Sequence, residues 1–329
     1  MKSFKIGIDN YGLYPLKLSP LETLEWAKKN GAEGVAFSGL NPDDRKLITK
    51  SYLKKLAAFA AENDLYIEWG GAQHIPRNMT SWKRKKLLAI NKRAAREAAI
   101  LGTRIIRSCS GGLMRWNSDN PSTEKLLAET ARALKGQLSM LRDYNVILAI
   151  ETHFEFTSFE LLKLFEMCEV EPDDCLGICL DTMNLLTMLE DPFSATRRLL
   201  PYVVSTHIKD GGIMFTDDGF VTFPTEIGSG VVDLKAIIKK LATSNRDMDL
   251  SIEDHGGSFV LPFFDPQFLA EFPDLTVKEF THLSHLAMRT KRLVDRNDCR
   301  IIDRDAWGNI CEERLINDLM VLKSLLSEL

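Results

Sequence analysis

Four stretches decide the fold: Val146-Ile-Leu-Ala-Ile-Glu151, Leu176-Gly-Ile-Cys-Leu-Asp181, Val203-Val-Ser-Thr-His207 and Asp249-Leu-Ser-Ile-Glu253. Each is too short for a helix; the first two are almost continuously apolar and the other two mix Val, Leu and Ile with Ser and Thr, the pattern of short strands in a parallel sheet. Each stops on a side chain that binds cations. Working outward, similar runs begin at Phe4, Gly34, Tyr66 and Arg104, so eight strand starts lie 30, 32, 38, 42, 30, 27 and 46 residues apart. That is the length one strand, one helix and two loops require in a parallel sheet.

The segments between them read as capped amphipathic helices. Ser19-Pro20-Leu21-Glu22 supplies an N-cap, a proline at the first helical position and an acidic first turn, and Asn30-Gly31 closes that helix. Further helical patterns cover Ser51–Asn63, Ser81–Leu101, Ser122–Tyr144, Ser158–Cys168, Pro192–Leu200 and Asp233–Leu241. The first strand leads into Asp9-Asn10-Tyr11-Gly12 rather than G-x-G-x-x-G, and no G-x-x-x-x-G-K-[ST] occurs, so an open nucleotide-binding sheet is disfavoured. The expected fold is an α/β, closed (β/α)8 barrel of the TIM type over residues 1–295. After a loop rich in Pro and Phe from about Ser258, a helix runs from about Thr276 to Asp295. Residues 296–329, ending in an amphipathic helix from Glu312, are read as a C-terminal helical extension packed on the barrel.

The chain has 329 residues, 45% of them hydrophobic and 27% charged, with 42 basic against 46 acidic side chains and a net charge of −4. Nucleic acid and anionic membranes are unsuited partners for that balance. No stretch approaches 18 apolar residues, and Met1-Lys2-Ser3-Phe4-Lys5 lacks the features of a signal peptide. Six cysteines without a C-x-x-C pair read as buried thiols of a reducing compartment, which makes a cytoplasmic location the expectation.

In a barrel of this kind the chemistry sits at the C-terminal ends of the strands. Glu151, Asp181, His207 and Glu253 end strands five to eight at matching height and would converge on one point. Three carboxylates gathered there repel or protonate unless a cation joins them. Three carboxylates and one imidazole suit a divalent ion, Mn2+ foremost and Mg2+ or Co2+ next, with positions left open for substrate oxygens.

The order Glu, Asp, His, Glu on these strands, with the phrases AIETH, CLDT, THIKDG, IGSGVVDL and SIEDHGG, resembles the xylose isomerase-like TIM barrels. These include ketose 3-epimerases, inosose dehydratase and lyases acting on 3-oxo sugars. The resemblance implies a carbohydrate substrate and proton transfer beside a metal-held carbonyl, with Glu151 and Glu253 as the acid/base pair. One departure matters: the family often has D-x-x-H after strand six, and this chain has Asp181-Thr182-Met183-Asn184. The same departure weakens any likeness to the endonuclease IV branch.

Glu151 and His153 share a face of strand five, because side chains two apart point the same way. His153 is therefore either a catalytic base or a partner of a ligand carboxylate. As a base it suits the runner-up function, β-elimination or decarboxylation of a 3-oxo sugar or 3-oxo-glycoside. Lys209 follows the same parity from His207 and reads as a substrate contact or as a salt bridge to Asp181. Asn184, His74, Arg107 and Trp116 complete the expected substrate-binding set, and Trp69 is a further stacking candidate. His255 lies beyond Glu253, and Gly256-Gly257 suggests that the strand ends before it. The Gly228-Ser-Gly230 turn offers amides to an anion. The basic run Lys83-Arg84-Lys85-Lys86 reads as a solvated helix face. The leading expectation is an isomerase or epimerase, with a lyase second and a metal- or sugar-binding subunit of little activity third. A homo-oligomer or a partner subunit is left open.

Overall fold

The computed structural model describes residues 4–78, 80–109, 115 and 121–329, so Trp116 lies outside the described residues. Eight parallel strands close into a barrel: β1 (Ile6–Asp9), β2 (Gly34–Phe37), β3 (Tyr66–Ala72), β4 (Ile105–Ser108), β5 (Ile147–Glu151), β6 (Leu176–Asp181), β7 (Val203–Ile208) and, after an inserted hairpin, β10 (Leu250–Ile252). Each pairs with its neighbours in sequence, and β10 closes on β1 through Ile6 opposite Leu250 and Ile8 opposite Ile252. Asp181 stands directly across from His207, and Glu151 from Cys179, so the register brings the expected ligands to one rim.

Small residues on the inward parity make room for a few large polar ones. A Cβ on Gly34 would sit 2.1 Å from the ring of Tyr66, which crosses the barrel to place its hydroxyl 2.8 Å from Ser251 Oγ. One layer higher, Ser205 on β7 donates to Glu68 on β3 at 2.5 Å. Burial pushes the Glu68 carboxyl up to about 7, with the Ser205 hydrogen bond opposing it in part. A carboxyl whose folded pKa is raised binds its proton more tightly folded than unfolded, so its stabilisation is complete near pH 4 and is lost as pH climbs to about 7. Glu68→Gln should therefore remove a loss of about 2–3 kcal/mol between pH 5 and 8, since each tenfold difference in proton affinity between the folded and unfolded chain is worth about 1.4 kcal/mol. Denaturant melts of both forms across that range check this, and parallel stability curves would refute it.

The helices form where the caps stand. Ser19 and Glu22 make a capping box at Pro20–Lys29, and Thr157 and Glu160 make another at Ser158–Cys168. Two helical expectations change. The helix expected from Ser81 starts at Leu87, leaving the basic run in the preceding loop, and the Ser122–Tyr144 pattern is divided into Thr123–Lys135 and Leu138–Asp143 around Gly136.

The 46-residue interval before the last barrel strand holds more than a helix. β8 (Asp210–Thr216) and β9 (Gly219–Thr225) form an antiparallel hairpin, joined by β11 (Phe259–Leu261) into a separate three-stranded sheet. The helix Val277–Asp295 packs on β8, where Thr290 Oγ1 accepts from the Ile213 amide at 3.2 Å. The last helix, Cys311–Ser327, packs against β1 and β10, and its Leu315, Leu319 and Leu322 join the same apolar core as the barrel strands. Residue 295, the expected edge of the barrel unit, is the last residue of the first of these two helices. Among the described residues, no helix is long and apolar enough to cross a membrane.

Candidate metal centre and active site

Glu151, Asp181, His207 and Glu253 are all buried, and each offers a ligand atom within 4.8 Å of the others. His207 Nδ1 lies 3.4 Å from Glu151 Oε1 and 3.2 Å from Glu253 Oε2. Its other ring nitrogen, Nε2, stands 3.3 Å from Asp9 Oδ2 at the end of β1. A carboxylate behind a histidine fixes ring orientation in metal sites, and Asp9 occupies that place. Sequence reasoning missed this role for Asp9. The available signal was a carboxylate at the end of an apolar strand, on the same rim as the four ligands.

Two cations share this rim. Arg107, 2% exposed, puts Nη1 2.5 Å from Glu151 Oε2 and Nη2 3.8 Å from Asp9 Oδ2. Lys209 Nζ lies 2.9 Å from Asp181 Oδ2 and 2.7 Å from Glu253 Oε2. Burial opposes ionisation of Glu151, but Arg107 and His207 overcome it and hold the carboxyl at about 2. For Glu253, too, Lys209 and His207 outweigh burial and keep the pKa well below the usual carboxylate range. Burial prevails at Asp181, which rises to about 6 despite Lys209. Two of the three carboxylates are thus held as anions.

The donor set fits a hard to borderline divalent ion. Asp181 Oδ2, Glu253 Oε2 and His207 Nδ1, the nitrogen turned away from Asp9, are buried and, apart from the ionic contacts just named, have no well-directed hydrogen bond, as atoms shaped to coordinate would. The other Asp181 oxygen, Oδ1, accepts from the amides of Met183 and Asn184 at 2.9 and 2.8 Å, which locks the carboxylate in place.

A cavity of about 1100 Å3 opens above this group and is walled by Arg107, Cys109, Glu151, His153, Asn184, Lys209, Glu253 and His255 among others. Asn184 directs its amide at Glu151 Oε1 (3.5 Å) and at the Thr152 carbonyl (3.3 Å). His255 belongs to the site although it lies past the end of β10. Its Nδ1 donates to the Gly256 carbonyl at 2.9 Å while Nε2 faces Lys209 at 3.4 Å, and burial with the Lys209 charge lowers its pKa to about 4.

Other expected residues stand elsewhere. His74 is fully buried and is not among the residues that wall the cavity, with Nδ1 2.7 Å from Ser108 Oγ and Nε2 2.7 Å from Glu155 Oε1. Trp69 is core, its indole donating to Glu97. The anion site of the Gly228-Ser-Gly230 turn is filled by the chain itself. The amides of Gly228, Gly230 and Val232 donate to the Asp210 carboxylate at 3.0–3.2 Å, and a Cβ on Gly230 would strike it. Lys83, Arg84 and Lys86 are exposed, whereas Lys85 reaches Gln73 Oε1 at 2.8 Å. Replacing the three exposed cations by Gln should leave kcat/KM within a few fold. A large, salt-dependent loss would instead reveal a polyanionic substrate.

The sequence profile of the xylose isomerase-like TIM barrel matches residues 24–271. The chain belongs to this family. A 3-oxo-isoapionate decarboxylase of Pectobacterium atrosepticum is 28% identical over 142 residues, which is 41% of this chain and 49% of that protein. The chain thus matches only about half the length of that curated relative. Among solved structures, an L-ribulose 3-epimerase superposes with a TM-score of 0.58 at 18% identity, over 90% of this chain and 96% of the other. The IOLI protein, described with a bound zinc atom, gives 0.59 at 16%, over 89% and 98%. Likeness at those identities establishes the fold, and the curated relative that matches in part is a decarboxylase.

Proposed function

We propose that this protein is a divalent-metal-dependent lyase that breaks a bond β to the carbonyl of a 3-oxo sugar acid or 3-oxo-glycoside, with decarboxylation as the first choice. The observation that carries this reading is the Arg107–Glu151 pair. An epimerase working with two glutamates needs each to keep one oxygen on the ion and to present the other to the substrate carbon. Here Glu151 Oε2 is held by Arg107 at 2.5 Å while Oε1 faces His207 Nδ1. Glu253 Oε2 is engaged by both Lys209 and His207. Cleavage needs one group to move the proton, and His153 stands at the cavity wall with Nδ1 3.2 Å from Glu155 Oε2.

Glu151, Asp181, His207 and Glu253 would hold the ion, which when bound polarises the substrate carbonyl as a Lewis acid. In decarboxylation the bond between the carboxylate carbon and C2 breaks, its electron pair passes into the enolate, and His153 returns a proton to C2. Asn184 and Lys209 face the cavity where substrate oxygens would lie. The partial likeness to a decarboxylase supports the same class.

Incubation with Mn2+ and a panel of 3-oxo sugar acids, 3-oxo-glycosides and ketoses in deuterated water tests the reading. Release of CO2 with one solvent deuteron at C2, or release of the aglycone with loss of the C2 hydrogen, is expected. Epimerised ketose without cleavage would overturn the lyase and restore the glutamate pair.

A further inference from the structure

The pair Gly256-Gly257 lies between β10 and β11, and the C-terminal extension rests on it. A Cβ on Gly256 would come within 2.7 Å of the Asp303 carbonyl oxygen and 3.1 Å of Arg304 Cα, and the Gly257 amide donates to the Ile302 carbonyl at 2.7 Å. Gly257 has a φ of +113°, which L side chains rarely adopt, and a Cβ there would meet Arg304 Nε and Nη2 at 3.2 Å. Two glycines therefore let the short 3-10 helix Arg304–Asn309 lie directly against this loop. The same segment is anchored on the 3-10 helix Asn10–Leu16 that follows β1, where the buried Trp307 indole donates to the Gly12 carbonyl at 2.9 Å. Arg304 is the residue that this seat delivers to the cavity wall, with Nη1 donating to the Tyr11 hydroxyl at 3.0 Å.

The lysines and arginines that line the cavity are Lys17, Arg107, Lys209 and Arg304. Arg107 and Lys209 are committed to carboxylates. Arg304 is exposed and makes no ion pair among the described residues, and Tyr11 is a neutral partner, so its charge is uncompensated. Asp43 and Asp44 line the same cavity, but Asp43 pairs with Lys46 at 2.7 Å and Asp44 accepts from Asn41 Nδ2 at 2.5 Å. At about 1100 Å3 the cavity stands at the top of the range for small-molecule sites, which leaves room beyond a sugar held at the four ligands. A guanidinium presents paired N–H groups that match a carboxylate or a phosphate.

We propose that Arg304 is a specificity residue that binds an anionic group, carboxylate or phosphate, at the end of the substrate remote from the four ligands. This rests on the cavity being the substrate site and not on which bond is broken.

Three ketoses that differ only at C6 test it: D-fructose with an alcohol, D-fructuronate with a carboxylate and D-fructose 6-phosphate with a phosphate. Their binding to the Mn2+-loaded protein is measured by calorimetry. At least one anionic ketose is expected to bind roughly 10 to 100-fold more tightly than fructose, the worth of a hydrogen bond to a charged group, and the tighter of the two tells carboxylate from phosphate. Arg304→Met should abolish that preference while fructose binding and metal content stay unchanged. Arg304→Lys should restore part of it, and rising salt should weaken it in the wild type. Fructose bound as tightly as both anions, no binding of either anion, or a preference that survives Arg304→Met would overturn the assignment. An equal loss for all three ketoses in Arg304→Met would do the same, because it marks a structural role. The readout needs no turnover, so failure of the lyase reading and failure of this assignment are told apart.

Discussion

Replacing His153 by alanine is expected to lower kcat by roughly 100 to 10,000-fold, the worth of a positioned proton-transfer group, while the four-ligand centre keeps its ion. Burial disfavours the charged ring, but the Cys109 thiol and the Glu155 carboxylate outweigh it and hold the His153 pKa well above 6.5. A ring of that kind is a proton donor at neutral pH, and it loses that role as pH rises through its pKa. The wild-type rate should therefore fall on the alkaline side, and the residual rate of His153→Ala should lack that limb. An acid limb in the wild type, abolished by the same variant, would make His153 a base and favour elimination over decarboxylation. Elemental analysis belongs beside the kinetics, because a variant that loses its ion tests the centre and not the ring. If His153→Ala retains full proton exchange into a bound keto substrate, the paired glutamates remain as the acid/base machinery and the lyase mechanism fails.

The second large effect concerns Arg107. Arg107→Met should destabilise the metal-free protein by about 3–5 kcal/mol, because removing one partner of a buried ion pair strands the other charges without compensation. The charges stranded are Glu151 and Asp9, 3% and 0% exposed. Saturating divalent ion should recover much of the loss, since a cation at the centre replaces the missing charge and a ligand stabilises in proportion to the logarithm of its concentration over its dissociation constant. Denaturant melts with and without Mn2+ measure both effects. A metal-free melt within about 1 kcal/mol of wild type would mean that Glu151 is compensated without Arg107. The pair would then no longer argue against Glu151 as a base.

The four strand ends that carry the expected ligands were legible because period and position act locally. A short run of three to five residues, largely apolar and followed by Glu, Asp or His, names both the strand and the rim residue. A parallel barrel leaves little freedom in where strand ends meet. The cap at Ser19 was legible for the same reason, since its hydrogen bonds close within four residues, and the cap at Thr157 stands one residue before the expected start at Ser158. The hairpin of β8 and β9 was missed although Asp217-Asp218-Gly219 sits between the short apolar runs Ile213–Phe215 and Phe220–Val221, a turn signal that the strand-helix rhythm masked.

What no local pattern could supply was which charges face one another across the barrel. Arg107 sits on β4 and its partners on β1 and β5, and His74 meets Glu155 from 81 residues away. The anion that fills the Gly228-Ser-Gly230 turn is Asp210, at the start of the inserted hairpin. The sequence by itself determined the barrel and the four strand ends that carry Glu151, Asp181, His207 and Glu253, because side-chain alternation and strand length are properties of a few consecutive residues. Only the tertiary structure decided that Arg107 and Lys209 engage the glutamates, that Asp9 backs His207, and that Cys109 stands beside His153. Those pairings depend on distances between strands far apart in the chain, and closure of the barrel sets them.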